Sequence, residues 1–359
     1  MSTLSRRELL KSAAIAAAAG AYPGLTGSTP AHAKEMINGI GWGGDAVKGL
    51  RAITEQAPVG VSWQTFPGST ATFLAKIKAS WPDTGLDIMQ GWDPTFLTIA
   101  KEGWAEPVTV EKVPHLANVS PKLLIKDSAG NVVNVPTNLA GYVWAYREDI
   151  TPFKITKLDD LLDPRLKAKV LAIPPSSGSN LFMLTLALHR GGNERNMEPG
   201  WAFMKELARS GNIGRVAYTD IDVTNSISSG ETSICMAVFN SINKLPSSMQ
   251  IRYLTKLDKS TGFVTFFWSE GLCILKSGKT DVAFKFADFM LSPEQNRKYC
   301  DVLTGIPANT RATAPDSVKP FSFTNDEMDK YAYIPDFGYI NDKTDEWTKR
   351  WETEIQPLL

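Results

Sequence analysis

The sequence predicts an α/β protein, and two observations carry that prediction. From residue 36 to about 102, short apolar runs alternate with helical patterns in the order βαβαβα, as in a parallel sheet with crossover helices. A second unit of the same kind opens at the buried run Val170-Leu171-Ala172-Ile173-Pro174. With 359 residues the chain has the length of about two domains and enough material for a large core.

The elements follow in order. Met36-Ile37-Asn38-Gly39-Ile40-Gly41 reads as a strand, Trp42-Gly43-Gly44-Asp45 as a glycine-rich turn, and residues 46–56 as a helix. Residues 59–63 form a second strand. Pro67-Gly68-Ser69 then turns into a helix, with Phe73, Leu74 and Ile77 at helical spacing. Asp87-Ile88-Met89 is a third buried strand, followed by Gln90-Gly91-Trp92-Asp93-Pro94, where Pro94 suits the first turn of a helix running to about Glu102. Each strand of this unit is expected to end in a glycine-containing loop at its carboxyl end, where open α/β sheets bind ligands. Residues 132–136 and 141–146 read as two further strands, and 158–162 as a short helix. After the 170–174 strand, Pro175-Ser176-Ser177-Gly178-Ser179-Asn180 leads into an apolar helix ending at His189. A helix over 197–208, a strand over 233–239, a β-rich stretch over 262–267 and a helix over 281–291 complete the second unit. Ser292-Pro293-Glu294 then starts a helix with a cap residue and Pro at its first position. Trp347 and Trp351, four residues apart, mark an amphipathic tail helix whose indoles pack.

The first 33 residues read differently. Ser5-Arg6-Arg7-Glu8-Leu9-Leu10-Lys11 resembles a twin-arginine export signal, an Ala-rich run spans 13–21, and Ala31-His32-Ala33 is a small-x-small cleavage site. Removal near Ala33 is expected to leave a mature protein starting near Lys34 in the periplasm. The apolar run is shorter than the roughly 20 residues of a membrane span.

Composition narrows the function classes. The chain carries 38 basic and 38 acidic side chains, and removing the signal makes it slightly acidic, which is no footprint for nucleic acid or an anionic membrane. Cys235, Cys273 and Cys300 are an odd number; one disulfide is open to them, but most read as small buried hydrophobes, Cys235 and Cys273 lying in apolar, strand-like runs. After the signal only His115 and His189 remain, too few for a histidine-based metal site. No His-Glu-x-x-His, Cys-x-x-Cys or Gly-x-Ser-x-Gly occurs, and no cofactor and no metal are expected. Paired carboxylates leave a secreted hydrolase as an alternative.

Several segments together resemble one family. Trp42-Gly43-Gly44 ahead of a helix, Asp87-Ile88-Met89, and Lys101-Glu102-Gly103-Trp104-Ala105-Glu106-Pro107 are similar to the periplasmic substrate-binding proteins of ABC importers, in the group of polyamine, ferric-iron and thiamine receptors. So are Gly191-Gly192-Asn193-Glu194, Ala287-Asp288-Phe289-Met290-Leu291-Ser292-Pro293-Glu294-Gln295 and Leu303-Thr304-Gly305-Ile306-Pro307-Ala308-Asn309. The resemblance implies a two-lobed type II binding-protein fold, with α/β lobes joined by β-strand crossovers and a ligand cleft between them. Lobe 1 would hold 34–138 with 268–310, and lobe 2 would hold 139–267 with 311–359. Hinges would lie at 136–141, 265–268 and 306–311. It also implies a monomeric receptor that closes on a small molecule and delivers it to an inner-membrane ABC permease. A sensor-partner binding protein on the same fold is a further alternative.

Candidate ligand contacts lie at strand ends. Trp42 is placed to stack on a ligand, with the Gly43 amide close by, or to pack beside a tight turn. Trp92 and Asp93 follow the third strand, Asp93 as a ligand contact or as a helix cap. Ser177, Ser179 and Asn180 open a helix, where amides and hydroxyls suit an anion. Asn240 matches a Trp-Asn position of the resembling group, and Trp268 and Glu270 match its Glu-Gly crossover, Glu270 pairing with a ligand cation or bracing the hinge. Asn138, in the first hinge, completes the set. An ammonium ligand would use Asp93, Glu270, Trp42, Trp92 and Trp268. A carboxylate would use the serines with Arg147 or Arg215, and an amino acid-like solute would use both kinds. Iron receptors of the group use adjacent tyrosines; here Tyr331-Ala332-Tyr333 separates them. Polyamine receptors carry an aromatic–acidic pair soon after the Glu-Gly, where this chain has Leu272-Cys273-Ile274-Leu275.

Overall fold

The computed structural model describes residues 34–66, 70–177, 180–276 and 278–359; the export-signal segment and the 67–69 turn lie outside the described residues. The first α/β unit forms β1 (Met36–Gly41), α1 (Asp45–Gln56), β2 (Gly60–Thr65), α2 (Thr70–Ser80), β3 (Ile88–Trp92) and α3 (Asp93–Glu102). β1 pairs in parallel with β2 and with β3, as crossover helices require. One expected loop is absent. β3 runs through Gln90 and Gly91 to Trp92, and α3 starts at the next residue. The ladder to a neighbouring antiparallel strand continues as far as Trp92, so the backbone stays extended until Pro94 sets the helix.

The segments read as two strands, 132–136 and 141–146, are one strand, β4 (Val135–Arg147). Pro136 and Gly141 look like breaks in the sequence. In the fold Pro136 sits at a register irregularity, and Gly141 lies against the Phe266 carbonyl, where a side chain has no room. The second unit supplies β5 (Val170–Ala172), α4 (Leu181–His189), α5 (Glu198–Arg209), β6 (Ile213–Val216), α6 (Asp220–Ser229), β7 (Ile234–Val238), α7 (Phe239–Ile242) and β8 (Ile251–Tyr253). β6 and α6 are additions to the sequence reading. β6 is short and half polar at the sheet edge, so it lacks an apolar run. β9 (Thr265–Ile274), α8 (Thr280–Leu291), α9 (Pro293–Leu303), β10 (Ile306–Pro307), α10 (Asn325–Tyr331), β11 (Ala332–Tyr333) and α11 (Phe337–Arg350) follow. Trp347 and Trp351 are both buried, as packing requires. Ser292 stands at the cap of α9, but its hydroxyl turns back to donate to the Phe289 carbonyl.

Among the described residues eleven strands form one sheet with the path β2-β1-β3-β9-β4-β7-β5-β6. The apolar residues around it separate into distinct cores. Ile37, Val47, Leu50, Ile88, Leu272 and Phe286 pack on one face of the β1–β3 end, and Ile40, Phe73, Met89, Phe96 and Cys273 pack on the other. Trp144, Leu171, Phe182, Trp201, Met236 and Trp347 belong to a third core around β4, β5 and β7. The fold is therefore two α/β lobes. β4, β9 and β10 run between them: β9 pairs with β3 over Glu270–Ile274 and with β11 over Thr265–Phe266, while β4 leaves β9 at Tyr142 to pair with β7. All three cysteines are free thiols in these cores, and burial pushes the Cys235 thiol up to about 12.

Two close contacts fix the crossing strands. Gly271 stands opposite Gly91 in β3 and Pro136 in β4, and a β-carbon there would collide with the Val135 carbonyl oxygen. Asp93 is the first residue of α3 rather than its cap, which is Trp92. Its buried carboxylate accepts the Ser269 amide at 3.0 Å and the Ser269 hydroxyl, tying α3 to β9. Burial raises the Asp93 carboxyl to about 6, with the two Ser269 donors opposing the rise.

Two outcomes follow from these contacts. Gly271→Ala lowers the unfolding free energy by about 1–3 kcal/mol in urea titrations; an unchanged midpoint would mean that the strands part freely around a methyl group. Asp93 holds its proton more tightly when folded, so its contribution to stability is complete below an ordinary value of 3.8 and is lost as pH rises through about 6. The stability difference between wild type and Asp93→Asn therefore shifts against wild type by about 3 kcal/mol from pH 3 to pH 7. A pH-independent difference would refute this account of Asp93.

Candidate functional site

The crossing strands place alternate side chains on opposite faces of the sheet. Trp268 and Glu270 of β9 face one side, Phe267 and Ser269 the other. On the Trp268 side a cavity of about 420 Å³ opens between the lobes, within the range of small-molecule sites. Trp42, Gly43, Asp45 and Ala46 line it from the β1–α1 turn, Trp92 from the end of β3, and Leu303 from α9. Across the gap stand Asp220 at the start of α6, Val238 at the end of β7, Asn240 and Ser241 of α7, and Lys244 just beyond. Trp268 and Glu270 also line it, from the crossover itself.

Each wall has a local cause. The Trp42 turn is held by Gln90, whose side-chain oxygen accepts the Trp42 amide at 3.1 Å while its amide donates to the Tyr299 hydroxyl at 2.7 Å. Phe66 meets the Trp42 ring edge-on, with centroids 6.1 Å apart. Trp92 and Trp268 meet edge-on at 5.9 Å, with Tyr142 beyond Trp268 at 5.4 Å and Phe337 beyond Trp92 at 6.0 Å. Edge-to-face packing fixes the orientation of these rings.

Glu270 lies among them. Asn138 is its partner in the β4–β9 register and donates to Oε2 at 2.8 Å; the Trp268 indole donates to Oε1 at 3.2 Å. Neither donor is a cation, and among the described residues Glu270 has no ion pair. Burial raises its carboxyl above the usual range, with Asn138 and Trp268 opposing and the negative charges of Asp220 and Asp93 adding to the rise. Asp220 is raised too, because the cleft walls partly desolvate its carboxylate although the residue stays exposed at the rim, with the Ser241 side chain opposing. It also has no ion pair among the described residues. Asp45 differs: Lys244 at 2.6 Å and Lys48 at 3.1 Å hold it below the usual carboxylate range.

Of the residues expected from the sequence, the structure brings Trp42, Gly43, Trp92, Asn240, Trp268 and Glu270 to this cavity. Asn138 is buried behind it and reaches it through Glu270. Asp93 is turned to the opposite face of β9. The described residues of the serine-rich loop do not line the cavity: the Ser177 hydroxyl donates to the Tyr218 carbonyl at 3.0 Å, and buried Asn180 donates to Thr344 of α11 at 3.0 Å. Ser179 lies outside the described residues. Arg147 pairs with Asp149, and Arg215 with Asp222 and Glu231, so both are engaged elsewhere. Asp45, Asp220, Ser241 and Lys244 are additions. For Asp220 a signal existed, since Thr219 and Asp222 form a capping box that starts α6. Lys244 carries no such local mark.

A family model described as "Bacterial extracellular solute-binding protein" matches residues 50–328. Among solved structures, the chain is similar to an ABC transporter protein from Clostridium perfringens (TM-score 0.71, 19% identity, covering 89% of this chain and 100% of that one). It is similar also to the spermidine/putrescine ABC transporter substrate-binding protein PotD from Streptococcus pneumoniae (0.71, 18%, 89% and 99%) and to iron-bound HitA from Pseudomonas aeruginosa (0.68, 17%, 88% and 98%). At these identities the likeness is one of fold. Curated proteins yield no match. Among the described residues no helix is long and apolar enough to cross a membrane. With the family matched over most of its length and a cleft between two lobes, the chain belongs to the bacterial extracellular solute-binding proteins, a family of receptors rather than enzymes.

Proposed function

We propose that this chain is the receptor of an ABC importer and that its solute is a small organic amine, polyamine-like or amino acid-like, held in the cavity between the lobes. One observation carries the reading: Glu270 and Asp220 line a cavity walled by Trp42, Trp92 and Trp268, and among the described residues neither carboxylate has an ion pair. An ammonium group supplies the missing charge, and indole faces attract it as well. Glu270 already has its lone pairs directed by Asn138 and Trp268, so it meets an ammonium without reorganising. The likeness in fold to a spermidine/putrescine receptor supports the class, while that to iron-bound HitA shows that this fold accepts other cargo.

The proposed cycle is capture in an open form, closure about β4, β9 and β10, and delivery to a membrane permease. The moving bodies would be 34–138 with 268–310 and 139–267 with 311–359. A ligand that touches both lobes has higher affinity for the closed state, as a population shift requires. Export by the twin-arginine route, with cleavage near Ala33, belongs to the same proposal.

Titration calorimetry and thermal melts of the mature chain test it, with putrescine, spermidine, γ-aminobutyrate, citrate and a hexose as probes. An amine at about 100 times its dissociation constant adds roughly 2.7 kcal/mol of stability. Glu270→Gln, which keeps an oxygen for the Trp268 indole, weakens amine binding by about tenfold or more. Trp42→Ala weakens it by about threefold or more through loss of the aromatic face. Stabilisation by citrate or the hexose alone, or wild-type amine affinity in Glu270→Gln, would overturn the reading.

A further inference from the structure

We propose that Lys244 is a specificity-determining residue: by neutralising Asp45 at the cavity, it limits the positive charge of the solute that the cleft accepts. This rests on the amine reading above and adds a rule for how many charges the amine carries. Three carboxylates line the cavity, those of Asp45, Asp220 and Glu270, and Lys244 is the lone cation among its described lining residues. Its ammonium lies 2.6 Å from Asp45, which stands across the cleft from the turn that carries Lys244. Asp45 begins α1, whose Val47 and Leu50 belong to a core of one lobe; Lys244 follows Ile242, which belongs to the core of the other. The pair therefore does two things. It ties the lobes together, and it withdraws one of three negative charges from the solute. Two remain unpaired, matching a dication better than a trication.

These two roles separate by measurement. A tie between lobes affects every solute alike, because it changes the closing equilibrium and not the solute's contacts. A charge filter changes the ratio of affinities between solutes of different charge. Both side chains are about two-fifths exposed, 43% for Lys244 and 40% for Asp45, so the effect is that of a half-solvated charge and is screened by salt. Lys48, the other partner of Asp45, is 72% exposed on the same helix and compensates only weakly.

The experiment is calorimetry on the mature chain with putrescine and spermidine, at low and at high salt. Lys244→Met raises the ratio of spermidine to putrescine affinity by about fivefold at low salt. The rise shrinks at high salt. Lys244→Arg keeps the wild-type ratio, and the double variant Asp45→Asn, Lys244→Met returns to it. Thermal melts check that each variant is folded, and Lys244→Gln repeats the test if the methionine variant is not. An unchanged ratio in Lys244→Met, or equal weakening of both amines, would overturn the inference and leave Lys244 as a tie between lobes. If wild type binds amines and the ratio does not move, the charge rule alone fails. If wild type binds neither amine, the amine reading fails and the charge rule falls with it.

Discussion

The antiparallel pairing of β4 with β9 carries both the architecture and the site. These two strands cross from one lobe to the other side by side, and their register sets Asn138 opposite Glu270 and Pro136 opposite Gly271. Pleating does the rest. One face of β9 turns Trp268 and Glu270 into the cleft, and the other turns Ser269 to Asp93, anchoring the crossover to α3. A one-residue slip would exchange the two faces and put the serine in the cavity and the carboxylate in the core. Gly271 helps fix the register, because its position against the Val135 carbonyl accepts no side chain. The Glu-Gly pair is thus two adjacent requirements: a charge facing the cleft and an absent side chain where strands crowd.

How much of this was legible in the sequence depends on range. Local periodicity locates β1, α1, β3, α8 and α9 because each carries its own apolar pattern. The long crossing strands were harder to read. β4 contains a proline and a glycine that signal breaks locally, and only its partners reveal that each sits where the ladder tolerates or demands it. The same limit applies to the site. Aromatic residues beside glycines at strand ends point to Trp42 and Trp92, the resemblance at the Glu-Gly crossover points to Trp268, and all three line one cavity. The serine-rich loop has the same local look, yet its Asn180 is bound to Thr344, 164 residues later, a contact that no local pattern announces. The segments most like other receptors, around Asn296 and Asn309, turn out to be structural. Buried Asn296 accepts the Asn309 amide, and the Asn309 side chain donates to the Leu291 carbonyl, clamping α8, α9 and β10 together. Family resemblance there reports packing and not the solute.

The electrostatics of the cleft follow from what burial costs. A carboxylate taken out of water without a cation is unfavourable, and a folded chain tolerates it by hydrogen bonds or by a raised proton affinity. Glu270 has both, and Asp220 has the second with help from Ser241. Asp45 is the contrast, held in its charged form by two lysines. The three acids of one cavity thus differ in proton affinity, which lysines lower at Asp45 and desolvation raises at Glu270 and Asp220.

In the proposed cycle an empty receptor holds Glu270 and Asp220 without an ion pair among the described residues, and a cationic solute supplies the missing charge. Closure brings the lobes together and removes more water from Glu270 and Asp220, so without a cation it raises the cost of both charges. With a cation between them the same loss of water strengthens attraction. The sign of the electrostatic contribution to closure therefore depends on occupancy, which is the differential affinity that a closing receptor needs. In that cycle the Asp45–Lys244 pair, which reaches across the cleft, would oppose this discrimination by favouring the closed form whether or not a solute is present. Its half-exposed position keeps that bias small. On the proposed cycle, a stronger, drier pair at the same place would hold the cleft shut on nothing, and the half-exposed position of Lys244 leaves closure to the solute.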